Sequence, residues 1–193
     1  MKLSNLVKHL QGLFHNPALE WDEIEKSYYS SSLQIIRDYY LFFVLAIPVA
    51  FIIRLLITLK SYKTLVYQGV IVPVIVIGAY VVVLYLLSIV LEEAADFMKG
   101  KVTPMAGSKI AFFSGLPFIA LCVLIPIPWL GMLAFAAGFI YQIVMIYMGG
   151  VKLLHIPSGR RPLFIITVFL TFIILLVLFA ILAALFSLFY NFI

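Results

Sequence analysis

The sequence predicts an all-α integral membrane protein, a bundle of five transmembrane helices preceded by amphipathic, interfacial helices. Three observations lead there. The chain is 65% hydrophobic and only 11% charged, with a mean hydropathy of +1.20, which leaves too little polar surface to coat a water-soluble globule of 193 residues. Between Lys109 and Lys152 no side chain carries a fixed charge, and a helix of that length would cross a hydrocarbon core about twice, so the run must cross and return. Its middle, Ile125-Pro126-Ile127-Pro128-Trp129-Leu130-Gly131, supplies the reversal: Pro126 and Pro128, at alternate positions, stop a helix, and Trp129 suits the headgroup level as an interface anchor.

The chain divides into a cytoplasmic amphipathic segment, residues 1–39, and a membrane domain, residues 40–193. In the first fourteen residues Leu3, Leu6, Val7, Leu10, Leu13 and Phe14 share one helical face. Such a helix either lies in a membrane interface or packs on the protein's own spans. Asn16-Pro17 reads as a cap and first-turn proline, followed by Glu20, Asp22 and Glu23 where the helix dipole favours acids. Trp21, on a face with Ile24 and Tyr28, is expected to be a second interface anchor. Ser30-Ser31-Ser32 marks a break. The spans fall at about 40–59, 66–91, 110–126, 129–149 and 163–190, with kinks expected at Pro48, Pro73 and Pro117.

Ten of the thirteen Lys and Arg residues fall before the first span or in the connectors 92–109 and 152–162, which places the N-terminus in the cytoplasm. Five crossings then put the C-terminus outside. The start of the chain lacks the apolar core and cleavage site of a signal peptide, so the first span is expected to direct insertion. The single cysteine, Cys122, lies in an apolar segment and supports neither a disulfide framework nor a cysteine-rich metal site. No cofactor, metal or nucleic acid is expected. The predicted spans hold no Asp or Glu, which argues against a proton- or sodium-driven transporter built on carboxylates.

Three groups of residues carry the candidate chemistry. Glu92, Glu93 and Asp96 are spaced at i, i+1 and i+4, so on a helix they form an acidic cytoplasmic patch able to attract a cation or a partner, or simply a solvated helix end. Arg54, the one fixed charge inside a span, either snorkels to the interface or contacts a lipid phosphate. Lys152, Arg160 and Arg161 form a basic loop suited to anionic headgroups, and such residues also fix topology. No Ser-His-Asp or Cys-His system is evident, and the chain is not expected to be an enzyme.

Asn16-Pro17-Ala18-Leu19-Glu20-Trp21-Asp22-Glu23-Ile24 resembles the opening motif of bacterial members of the Yip (Ypt-interacting protein) domain family. Ser114-Gly115-Leu116-Pro117, Ile127-Pro128-Trp129-Leu130-Gly131, Tyr141 and Gly149-Gly150-Val151 follow in that family's order and spacing. The resemblance covers nearly the whole chain and implies a five-span protein of the bacterial inner membrane. Eukaryotic relatives engage Rab-type GTPases, but this sequence lacks their Asp-Leu-Tyr-Gly-Pro motif, so no GTPase contact is carried over. The expectation is a non-enzymatic protein that organises membrane or recruits a partner through its cytoplasmic face. Membrane lipids, a cytoplasmic protein and a second copy of the chain are its expected partners. The alternative is a transporter of a lipid or small solute through a proline-kinked bundle.

Overall fold

The computed structural model describes residues 3–58, 61–101 and 103–192, with side chains described in these ranges except at 3, 64, 176 and 178–192. Seven helices make up the fold among these residues: α1 (Leu3–His15), α2 (Pro17–Lys26), α3 (Ser32–Ile57), α4 (62–97), α5 (Ala106–Cys122), α6 (Leu130–Leu153) and α7 (Arg161–Phe192). There is no strand among them. Stretches of α3, α4, α6 and α7 are long and apolar enough to cross a membrane, and α5 is a shorter apolar helix of 17 residues.

The helices outrun the apolar spans read from sequence. Ser31 caps α3 by accepting the Gln34 N–H at 3.3 Å, so the helix starts at Ser32, well before the hydrophobic run. At its other end α4 continues through Glu92, Glu93 and Asp96 to Phe97. Pro48 and Pro117 lie inside α3 and α5. A proline inside a helix collides with the carbonyl one turn back and removes that carbonyl's donor. At Pro73 the conflict falls just after a π-turn, Tyr67–Ile71, where the Val72 N–H reaches the Tyr67 carbonyl and the helix is locally widened.

Helix α5 is the centre of the bundle. Every residue from Ala106 to Ile119 is buried, with α4 and α6 as its main neighbours and α1, α2 and α3 covering the rest. Small residues make this possible. A Cβ on Gly107 would stand 2.3 Å from the Ser88 carbonyl oxygen, and one on Gly115 would stand 2.6 Å from the Tyr40 hydroxyl and 2.8 Å from that of Tyr80. With Ala111 between them at helical spacing, these glycines let α5 lie against the α4 backbone. On α6, adjacent glycines serve two partners, Gly149 meeting Trp21 of α2 and Gly150 meeting Phe164 of α7.

The α5–α6 reversal is tight. Ile127 N–H bonds to the Leu124 carbonyl at 2.9 Å and Gly131 N–H to the Ile127 carbonyl at 2.7 Å, while Trp129, at φ 62°, is 80% exposed at the tip. At the other end of the bundle, α4 and α6 finish side by side. Gly100 N–H closes α4 on the Ala95 carbonyl at 2.8 Å, and Lys101 N–H donates to the Leu154 carbonyl at 3.0 Å.

Gly107→Val drives a branched side chain into the Ser88 carbonyl and is expected to cost about 3 kcal/mol, the upper end for overpacking. Gly78→Ala, in a helix position where a Cβ meets nothing within 4 Å, is expected to raise stability by about 0.5–1 kcal/mol. Thermal unfolding of the two purified variants in one lipid system measures both.

Candidate functional site

The bundle end that carries most of the basic residues is closed by the α1–α2 hairpin. Asn16 caps α2 by accepting the Leu19 N–H at 3.3 Å, as the Asn-Pro pair predicts. Where the two helices cross, the Glu20 carboxylate lies over Gly12, at a point where any larger residue would collide with it, and pairs with His9 Nδ1. Glu20 is only 4% exposed, which its position among early-turn acids does not foretell. Outside the hairpin, Lys8 donates to Glu23 at 2.8 Å. That contact holds the Glu23 carboxyl below the usual carboxylate range and raises the Lys8 ammonium.

Leu6, Leu13, Trp21 and Ile24 are buried between the hairpin and the membrane domain. Of the amphipathic face of α1, Leu6 and Leu13 pack on the protein's own helices, while Val7 and Phe14 stay exposed. The expectation for Trp21 is corrected: its ring is 0% exposed, seated on Gly149, and so cannot anchor an interface. The expectation failed because a tryptophan's preference for the headgroup level is indistinguishable, in sequence, from its use as a large core wedge. Lys109 fastens the hairpin by donating to the Glu25 and Ser27 carbonyls at 2.9 and 2.7 Å. The Tyr141 hydroxyl bonds the Leu13 carbonyl, and its ring stacks on Phe14.

The charged candidates are distributed rather than gathered. Glu92 is turned toward α5 and accepts the Gly107 N–H at 3.1 Å, satisfying one of the orphan donors at that helix start. Glu93 and Asp96 are exposed. Among the described residues no group of three His, Cys, Asp or Glu side chains is arranged to hold a metal ion. Lys152 is engaged by the protein itself, at Asp22 and at the Ala18 carbonyl, 2.6 Å away. Arg160 donates to the Phe97 carbonyl at 3.0 Å, and Arg54 to the Pro126 carbonyl in the α5–α6 turn. The Arg161 Nε is buried without a hydrogen-bond partner among the described residues.

Concavities lie between the helices, two of them among the described residues bearing on function. One is a cavity of about 330 Å³ reached by side chains of α3, α4, α5, α6 and α7, with Tyr80 and Gln142 in a wall that is otherwise hydrocarbon and thiol. The other, about 670 Å³, is a groove between α3 and α4 with Ser30, Ser31, Gln34 and Arg37 among its polar lining, and Val44, Gly78 and Val81 among its apolar lining. Ile77 borders both. Arg37, Gln34 and Tyr80 escape a sequence reading. Gln142 is legible in it as the one carboxamide inside the uncharged run.

A bundle of apolar helices with a buried central helix and a helical cap at its basic end defines a multi-pass membrane protein. Residues 12–192 match the Yip1 domain, and the chain belongs to that family, as the motifs around Trp21, Pro117 and Trp129 indicate. No curated protein and no solved structure matches the chain.

Truncating the wedge, Trp21→Ala, is expected to cost about 3–5 kcal/mol and to loosen the hairpin. Limited proteolysis of the variant in nanodiscs is the check, with cleavage expected between residues 27 and 31 at a rate well above that of the unchanged protein.

Proposed function

We propose that the protein is a non-enzymatic, five-span protein of the bacterial cytoplasmic membrane that organises membrane or recruits a partner through the face carrying α1 and α2. Helix α5 is counted as the fifth crossing. Its 17 residues span about 26 Å, near the thickness of a hydrocarbon core. Being buried on all sides, it need not match the bilayer itself. The excess of Lys and Arg at the α1–α2 end supports placing that end, with the N-terminus, in the cytoplasm and the C-terminus outside.

One observation carries the functional reading: the α1–α2 hairpin is fixed to the membrane domain, not tethered to it. Trp21 on Gly149, Lys109 on two carbonyls and Lys152 on Asp22 hold it. Its outer surface presents Val7, Leu19 and Tyr28 beside the exposed Lys8–Glu23 pair. A rigid platform of mixed apolar and charged groups suits docking of a protein or of headgroups, because little ordering entropy remains to be lost. Nearby, the exposed Glu93 and Asp96 extend the same end with negative charge. The transporter alternative draws on the internal cavity. Walls of hydrocarbon, with Arg54 drawn away to the α5–α6 turn, favour a lipid over an ionic solute in that alternative.

Two measurements bear on this. With Cys122→Ser as background, Tyr28→Cys is expected to react with an impermeant maleimide only after the cytoplasmic side is opened, and a cysteine appended after Ile193 from outside. Both labels in one compartment would remove the odd number of crossings. A photoreactive residue at Leu19 or Tyr28 is expected to crosslink a protein or lipid headgroup in intact cells, and Glu93→Ala with Asp96→Ala to weaken that product several-fold. Crosslinking undiminished by the pair excludes the acidic contribution, and none from either site contradicts the docking role.

A further inference from the structure

The groove between α3 and α4 is polar at one end and apolar along the rest. Gln34, Arg37, Leu41 and Val44 follow one another at three- and four-residue intervals, which puts them on one face of α3, and Val74, Gly78 and Val81 do the same on α4. Gly78 keeps the space open. A Cβ there would meet nothing within 4 Å, in contrast to Gly107 and Gly115, whose missing side chains admit a neighbouring helix. A glycine inside a helix is destabilising relative to alanine, and at this position no packed protein group offsets that. The groove's volume of about 670 Å³ lies within the range of small-molecule sites, about 300–1,000 Å³.

The polar end is built of donors. The Gln34 Oε1 is taken by the Ser30 N–H and hydroxyl, each at 2.9 Å, and the Ser31 Oγ accepts the Gln34 N–H at 3.3 Å. The Gln34 Nε2 and the Ser31 O–H are thereby left to donate to a ligand. Arg37, the charged residue among those lining the groove, meets Asp38 through its Nε at 3.2 Å, and its side chain is 71% exposed, so its two Nη groups are open. Asp38 itself is not part of the lining. One fixed positive charge with amide and hydroxyl donors a turn away suits a phosphate.

Depth supplies the rest of the ligand. Arg37 stands just before the apolar run that enters the membrane, hence at headgroup level, and Val44 lies seven residues, about 10 Å, deeper. The groove thus starts at the headgroups and runs about the depth of one leaflet, half of a hydrocarbon core of about 30 Å. A water-soluble phosphate ester would leave the apolar length unfilled, and an extended peptide would carry unpaired backbone groups into hydrocarbon. A phosphate joined to an alkyl chain meets both ends of the groove.

We propose that this groove binds one phospholipid of the leaflet at the hairpin end, its phosphodiester accepting from Arg37, Gln34 and Ser31 while one acyl chain lies along Val44, Gly78 and Val81. The site is separate from the docking surface on α1 and α2, and it needs only that the bundle lies in a membrane.

The test is native mass spectrometry of the full-length protein released from detergent micelles, with dioleoyl phosphatidylglycerol or dioleoylglycerol titrated in. The two lipids share their chains and differ in the phosphodiester headgroup. The phospholipid is expected to give a one-lipid adduct at about one-tenth the concentration of the diacylglycerol, the ratio that one charge-assisted hydrogen bond supplies. Arg37→Gln should abolish that advantage. Gly78→Leu, which puts a side chain into the groove from a position with room for it, should lower both adducts several-fold, and Lys26→Gln, which removes an exposed positive charge from the same end, should change neither. Glycerophosphoglycerol, the headgroup without chains, should leave the adduct in place. Equal potency of the two lipids, an advantage that survives Arg37→Gln or falls equally in Lys26→Gln, adducts undiminished in Gly78→Leu, or displacement by the headgroup alone would each overturn the proposal. Arg37 and Gly78 are both exposed, and should either variant not fold, the wild-type comparison of the two lipids decides alone.

Discussion

The seam between α4 and α5 is the contact on which the remaining structure rests. In lipid there is no hydrophobic drive to bring helices together, so close approach has to come from small residues and from hydrogen bonds that cross the seam. Gly107 and Gly115 provide the first, since either position with a Cβ would strike α4 or the tyrosines beside it. The same closeness provides the second. Glu92 reaches the Gly107 N–H and the Tyr80 hydroxyl lies between the Gly115 carbonyl and Gln142, while from α3 the Tyr40 hydroxyl reaches the Phe112 carbonyl at 2.6 Å. Each such bond is worth about 0.6 kcal/mol on average in membrane proteins. Their larger effect is to fix register, because α4 cannot slide past α5 without leaving polar groups unpaired where no water can replace the partner.

With α5 set, the rest of the molecule is arranged around it. The wrap is completed by elements far away in sequence: Ser32, at the start of α3, shares a 2.8 Å hydrogen bond with Ser108, His9 and Tyr39 pack edge-on against Phe113, and Tyr29 packs tilted against it. Several charged residues fasten this assembly. A lysine ammonium on backbone carbonyls, as at Lys109, does for the end of α2 what a capping side chain does for an ordinary helix. The arginines at 54 and 160 act alike on the α5–α6 turn and the end of α4. Lys109 and Arg160 act at the end that presents the hairpin, and Arg54 at the opposite one.

Much of the architecture was legible in the sequence. Uncharged length alone defined the α5–α6 reversal, the Asn16-Pro17 pair located the start of α2, and loose motifs at Trp21, Ser114 and Ile127 indicated the family. The candidate site was not legible to the same degree. Glu92, Glu93 and Asp96 stand together in sequence, yet one carboxylate is taken by the start of α5, a partner fifteen residues away that helical spacing cannot reveal. The side chains of Trp21, Lys152 and Arg54 have chemistry suited to headgroup level, and sequence alone offers them no protein partner. Each is claimed instead by a protein group brought near by tertiary packing. Sequence periodicity says which side of a helix is apolar, but on a helix apolar all round, such as α5, it carries no information about which neighbour lies where.

The arrangement around α5 is tested most directly by a disulfide between its first turn and α3. With Cys122→Ser as background, Ser32→Cys and Ser108→Cys replace two hydroxyls already 2.8 Å apart, seventy-six residues distant in sequence. Mild oxidation in native membranes is expected to join them nearly completely, with neither thiol then open to alkylation. If both remain free and alkylate at the rate of an exposed cysteine, α3 does not begin against α5, and the central helix is not wrapped as described.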